Sequence, residues 1–103
     1  MKIYNTDYIT GVEFETIGLV MGSTIQSKNV FCDIGQGLKT LVGGELKSYS
    51  NMMAKARDIA TQRMIEEAEL LKADAIVNVK YTTSSVMSAA AEILAYGTAV
   101  KFK

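Results

Sequence analysis

Histidine is missing from these 103 residues, as are proline and tryptophan, and cysteine occurs once. Without histidine the chain lacks the side chain that most often serves as general base or metal ligand near neutral pH, and with it every Ser-His or Cys-His nucleophile arrangement. Ser-Lys and paired-carboxylate chemistry stay open, but Glu66, Glu67 and Glu69 have the spacing of a solvated helix face, and no pattern brings a serine to a lysine. The expectation is a protein that is not an enzyme and carries no cofactor. A single thiol, Cys32, excludes an internal disulfide and suits a reducing compartment, with the cytoplasm as default. Charge of one sign is also missing: eleven basic residues balance eleven acidic ones, and neither gathers into a block. That excludes the electrostatic footprint of a nucleic-acid binder. No stretch reads as a signal peptide, and the longest uncharged run, Thr16 to Ser27, is too short and too rich in glycine and hydroxyls to cross a bilayer as a helix.

What is present organises itself around Ser50 to Lys72. Met53, Ala56, Ala60, Met64, Ala68 and Leu71 recur at intervals of three and four, laying one apolar stripe along a helix. Lys55, Asp58, Arg63, Glu66, Glu69 and Lys72 fall mostly off it. Ser48 or Ser50 can cap the first free N–H groups, and no proline interrupts the segment. Core packing explains the methionines and alanines without a cofactor. After Leu71 the period shifts to that of a strand, Asp74 to Tyr81, packed against the helix.

Upstream, Ile3-Tyr4 reads as a short strand or arm and Thr10-Gly11 as a turn. Val12 to Ile25 reads as a strand, alternating at first and then apolar through Ile17, Leu19, Val20 and Met21. Gly18 and Gly22 within it are read as a bend, in preference to a close approach by another element. Asn29 is a candidate cap for a second helix, with Ile34, Leu38, Leu41 and Val42 at helical spacing up to Gly43-Gly44. Its interior Gly35 and Gly37 suggest a crowded neighbour rather than a phosphate loop, which would need a Lys-Ser/Thr pair where Glu45 stands. Downstream, Thr82 to Ala89 reads as a hairpin loop and Ala91 to Phe102 as a final strand with apolar residues on both faces. The predicted architecture is a single α+β domain over 1–103. It is a β-α-β-β unit with helices packed on one face of a small mixed sheet, the second strand parallel to the first and the last antiparallel. Helices on one face leave the other open, which predicts a homo-oligomer in which copies of the chain cover it.

Gly43-Gly44, Tyr49, Ala56-Arg57, the run Leu71 to Val77 and Gly97-Thr98-Ala99-Val100 stand in the order and spacing of a known family. Together they resemble the YbjQ-like proteins, small bacterial and archaeal domains labelled as heavy-metal-binding. The resemblance covers nearly the whole chain. It implies an α+β subunit assembled into a ring, pentameric, with no established activity. Lys72 stands where the family commonly has glycine, so either a left-handed helix end is strained here by about 1 kcal/mol or the helix ends differently. Lys80 stands where an acidic residue is often found, so a cation held by that charge in relatives has no such ligand here.

Cys32 is the chain's one soft ligand. In the first turn of the predicted short helix its thiol would meet free N–H groups that favour the thiolate, while the plainer reading packs it beside Phe31 and Ile34. Asp33 and Glu45 could add oxygen ligands. Two readings stay open: a homo-oligomeric binding or scaffold module of unknown ligand, and a metal- or soft-ligand-binding protein using Cys32 and Asp33 at a subunit interface.

Overall fold

The computed structural model describes residues 1–27, 44–87 and 90–103. Among them the chain runs β1 (Lys2–Ile3), β2 (Phe14–Ser27), α1 (Gly44–Leu70), β3 (Ala75–Met87) and β4 (Ala90–Phe102). The sheet order is β1-β3-β4-β2. β1 pairs parallel with β3, whereas β4 is antiparallel to both β2 and β3. The β-α-β-β unit is therefore present as expected. β2 and β3 run the same way, but β4 is inserted between them.

The helix is longer than its stripe predicts. It begins at Gly44, so Ser48 and Ser50 lie inside it instead of capping it. Nothing between Gly44 and Ser50 breaks a helix, and serine's preference for caps is weak against two further turns of backbone hydrogen bonding. Ala56, Ala60, Met64 and Ala68 are fully buried, and Met53 packs beside them. Leu71, by contrast, lies past the helix end and is 45% exposed. Lys72 takes the left-handed conformation, with φ 60°. Its N–H donates to the Glu69 carbonyl at 2.9 Å and that of Ala73 to the Ala68 carbonyl at 3.1 Å. These are the two bonds of a Schellman cap, completed here without glycine.

α1 lies across β2 and β4 and barely touches β3. Its small residues let it come close: a Cβ on Gly22 would stand 2.3 Å from the Met64 backbone nitrogen and 2.5 Å from the Ala60 carbonyl oxygen. The expected bend is therefore wrong for Gly22, which is a close approach of helix to strand. It holds for Gly18, which borders a bulge where Thr16 and Gly18 pair with consecutive residues of β4 and Ile17 is left over.

The segment Thr82 to Met87 is strand, not loop. It continues the ladder with β4 from Thr82↔Leu94 to Met87↔Ala90. A strand exposed on both faces shows no apolar alternation, and threonine suits extended backbone as well as it suits turns. Gly11, with φ 73°, sits in the expected turn, closed by Val12 N–H to the Ile9 carbonyl at 3.1 Å. The predicted helix from Asn29 to Val42 lies outside the described residues, as do Ser88 and Ala89.

Candidate binding face and strand edge

The two sequence-predicted site residues, Cys32 and Asp33, lie outside the described residues. Glu45 falls in the first turn of α1, and its side chain is likewise outside them. Among the described residues no three cysteines or carboxylates come together as a metal site. What the structure does build is a sheet with one open face and two unlike edges.

β4 sorts the faces. Ala91, Ile93, Ala95, Gly97 and Ala99 are buried on the helix side, while Glu92, Leu94, Tyr96 and Thr98 point the other way and are half-buried. Register places Leu19, Met21 and Ile25 of β2 on that second face, opposite Thr98, Tyr96 and Glu92, and Lys80, Thr82 and Ser84 of β3 on its far side. Leu19 is 61% exposed and Ile25 60%. Among the described residues only one end of the face is closed, where Tyr4, Ile9 and Phe14 pack onto Ala75, Val77 and Val100.

The arm that supplies Tyr4 also fixes a second bulge. Between Val77 and Lys80 β3 holds one residue more than β4, and Asn78 has φ 58°. Asparagine is among the few residues that tolerate this conformation. Its N–H donates to the Thr6 carbonyl at 2.8 Å, and that of Val79 to the Tyr4 carbonyl at 2.9 Å. Asn5 Nδ2 in turn donates to the Val79 carbonyl at 2.9 Å, and Lys80 Nζ to Asn78 Oδ1 at 2.8 Å. The extra residue reverses the alternation of β3, which is why Ile76 and Val79 both face the helix.

The β2 edge is covered by the helix's own side chains. Glu67 Oε1 accepts from the Met21 N–H at 3.3 Å, and Arg63 Nη1 donates to the Ser23 carbonyl at 2.7 Å. The β3 edge is different. β1 pairs only with Ala75 and Ile76, and among the described residues no strand pairs with that edge beyond the arm. Because Val79 points its backbone groups outward to the arm and Lys80, Thr82 and Ser84 pair with β4, the groups of Tyr81, Thr83 and Ser85 also point outward. From Tyr81 to Met87 this edge carries no charge and no proline, the usual guards of an exposed strand.

A concavity flanks the same edge on each side. One, on the open face, is lined by Tyr4, Asn5, Val79, Lys80, Tyr81 and Tyr96. The other, beside the helix, is lined by Met53, Arg57, Tyr81, Thr82, Thr83 and Ile93. The Tyr81 hydroxyl and Thr61 Oγ1 are 2.7 Å apart, tying strand to helix where α1 otherwise leaves β3 bare. Sequence reasoning missed these residues because they come from distant parts of the chain. The one available signal was the charge-free, hydroxyl-rich run after Lys80, which is as consistent with an unguarded edge as with a loop.

The described residues form a small α+β fold with one helix on a four-stranded mixed sheet. The comparisons place it further. A protein-family model, YbjQ, described as "Putative heavy-metal-binding", matches residues 1–103. A UPF0145 protein of Clostridium novyi is 64% identical over 98% of both chains. Another, of Alkaliphilus metalliredigens, is 60% identical over 99% of both. The chain belongs to this family. The same fold occurs in the crystal structure of a protein of unknown function of the DUF74 family from Pediococcus pentosaceus. That chain superposes with a TM-score of 0.72 at 20% identity, over 100% of this chain and 98% of the other.

Proposed function

We propose that this chain is the subunit of a homo-oligomeric, non-catalytic binding or scaffold protein, its ligand unassigned. The observation that carries this reading is the open sheet face, where Leu19, Met21, Ile25, Leu94 and Tyr96 stand together and, among the described residues, no helix lies over them. Copies of the chain are the simplest cover, and a closed ring, five-membered by resemblance to the family, satisfies every subunit alike. A single thiol fits a cytoplasmic setting. No described helix is long and apolar enough to cross a membrane.

Light scattering on the purified protein at micromolar concentration tests this. A mass several times 11.2 kDa is expected, and a monomer overturns the reading. The second reading, favoured by the family's description, is a metal or soft-ligand site using Cys32 and Asp33 of several subunits. A subunit offering one thiol and no imidazole must borrow ligands from its neighbours, because tight zinc or copper sites draw on three or four. Elemental analysis with thiol titration separates the two. Stoichiometric zinc or copper lost in Cys32→Ser supports the metal reading, and a metal-free oligomer whose thiol reacts only after denaturant supports the first.

A further inference from the structure

We propose that the outer edge of β3 from Tyr81 to Ser85 is a docking site for an extended peptide segment bearing two consecutive acidic residues, which adds as a strand to the sheet. Three observations converge there. The backbone groups of Tyr81, Thr83 and Ser85 point outward from a strand with no charge or proline to guard it. The same edge already takes a parallel strand, β1, at Ala75 and Ile76, and the arm leaves it after Val79. The opposite edge of the sheet is occupied by Arg63 and Glu67, so it does not compete.

The chemistry of the occupant follows from what flanks the edge. Main-chain bonds fix an added strand in place, and the pockets met by its alternate side chains decide which sequence fits. Here each concavity holds one cation and an apolar or aromatic surround: Lys80 with Tyr4 and Tyr96 on the open face, and Arg57 with Met53 and Ile93 beside the helix. Successive side chains of a strand point to opposite faces. Two adjacent carboxylates would therefore reach Lys80 and Arg57 at once, while a basic pair would meet like charge in both places. Lys80 spends one of its three donors on Asn78 and keeps the others for a ligand. The site does not involve the apolar residues of β2.

The test uses the full-length protein and a labelled peptide, acetyl-Thr-Val-Glu-Asp-Val-Thr-amide, with the Lys-Lys version as control. The acidic peptide is expected to bind in fluorescence anisotropy, to weaken with added salt, and to slow hydrogen exchange at the amides of Tyr81, Thr83 and Ser85. Lys80→Glu and Arg57→Glu should each weaken it by about tenfold or more while leaving the melting temperature near that of the parent. Thr83→Pro should abolish binding, since it removes an outward N–H without breaking the β3–β4 ladder. The proposal is overturned by no binding at millimolar peptide, by equal binding of the basic control, or by charge reversals that change nothing. It is equally overturned if the three amides are already protected without peptide and lose that protection on dilution, which would assign the edge to a second copy.

Discussion

The two faces of the sheet differ in how completely their apolar residues are buried. Under α1, Gly22 lies against the backbone of Ala60 and Met64, and Ala95 and Ala99 share one buried cluster with Ala56, Ala60, Met64 and Ala68, filled out by Val20, Ile76, Val79 and Ile93. On the other face stand Leu19, Met21, Ile25, Leu94 and Tyr96, much less buried. Small residues are useful only where backbone meets backbone, so the helix side is a finished contact with no spare volume. Large apolar residues left in water suggest the reverse, a contact that the single chain does not complete.

If that difference is real, the two faces should respond oppositely to substitution. Ala60→Asp sets a charge in the closed contact, where it has neither water nor a partner, and should cost several kcal/mol, enough to unfold a domain of this size. Glu66→Ala, on the solvated side of the same helix, should shift the melting temperature hardly at all. Gly22→Ala comes next. One methyl group, placed 2.3 Å from the Met64 nitrogen, must push helix and strand apart, at about 3 kcal/mol by thermal or denaturant unfolding. A Gly22→Ala variant as stable as the parent would show that the contact has slack and would remove half of the comparison.

On the open face the expected result is the opposite. Leu19→Ser with Ile25→Ser removes large apolar groups that the single chain leaves exposed, so the intrinsic stability of the subunit should change by about 0.5 kcal/mol or less per site. The assembled mass should fall. Circular dichroism and light scattering on the same sample separate the two effects, and a variant that unfolds instead of dissociating would mean these side chains support the subunit itself.

Much of the closed contact can be read from the residues in order. The stripe from Met53 to Ala68 is legible because one period persists over about four turns, and the change of period after Leu71 announces β3. Gly18 and Gly22 look alike in sequence yet do different work, one beside a bulge and one under a helix, because pairing and packing are set by partners far along the chain. Thr82 to Met87 misleads for a related reason. Alternation marks a strand only where one face is buried, and this segment is exposed on both. The candidate docking edge is less legible still. The bulge at Asn78 and the arm that clamps it bring Tyr4, Lys80 and Tyr96 together on one side, while α1 sets Arg57 on the other. Cys32 and Asp33, the residues that sequence chemistry selected, are not among those described.

An effect of the opposite sign is expected at the helix end, where sequence posed a choice and the structure took the strained branch. Lys72 holds φ 60° so that Lys72 and Ala73 can close the last turn onto Glu69 and Ala68. An L-residue with a side chain is worse off in that conformation than glycine by about 1 kcal/mol, after allowing for glycine's greater freedom in the unfolded chain. Lys72→Gly should therefore stabilise the subunit by that amount, a rise of about 4–8 °C in melting temperature for a domain of this size. Lys101 Nζ reaches the Lys72 carbonyl at 3.2 Å, a backbone contact that the substitution leaves in place. The control is Lys72→Ala, which removes the same charge and the same long side chain but keeps a Cβ. If alanine gained as much as glycine, the benefit would come from losing the lysine side chain, and the left-handed residue would be bearing no strain.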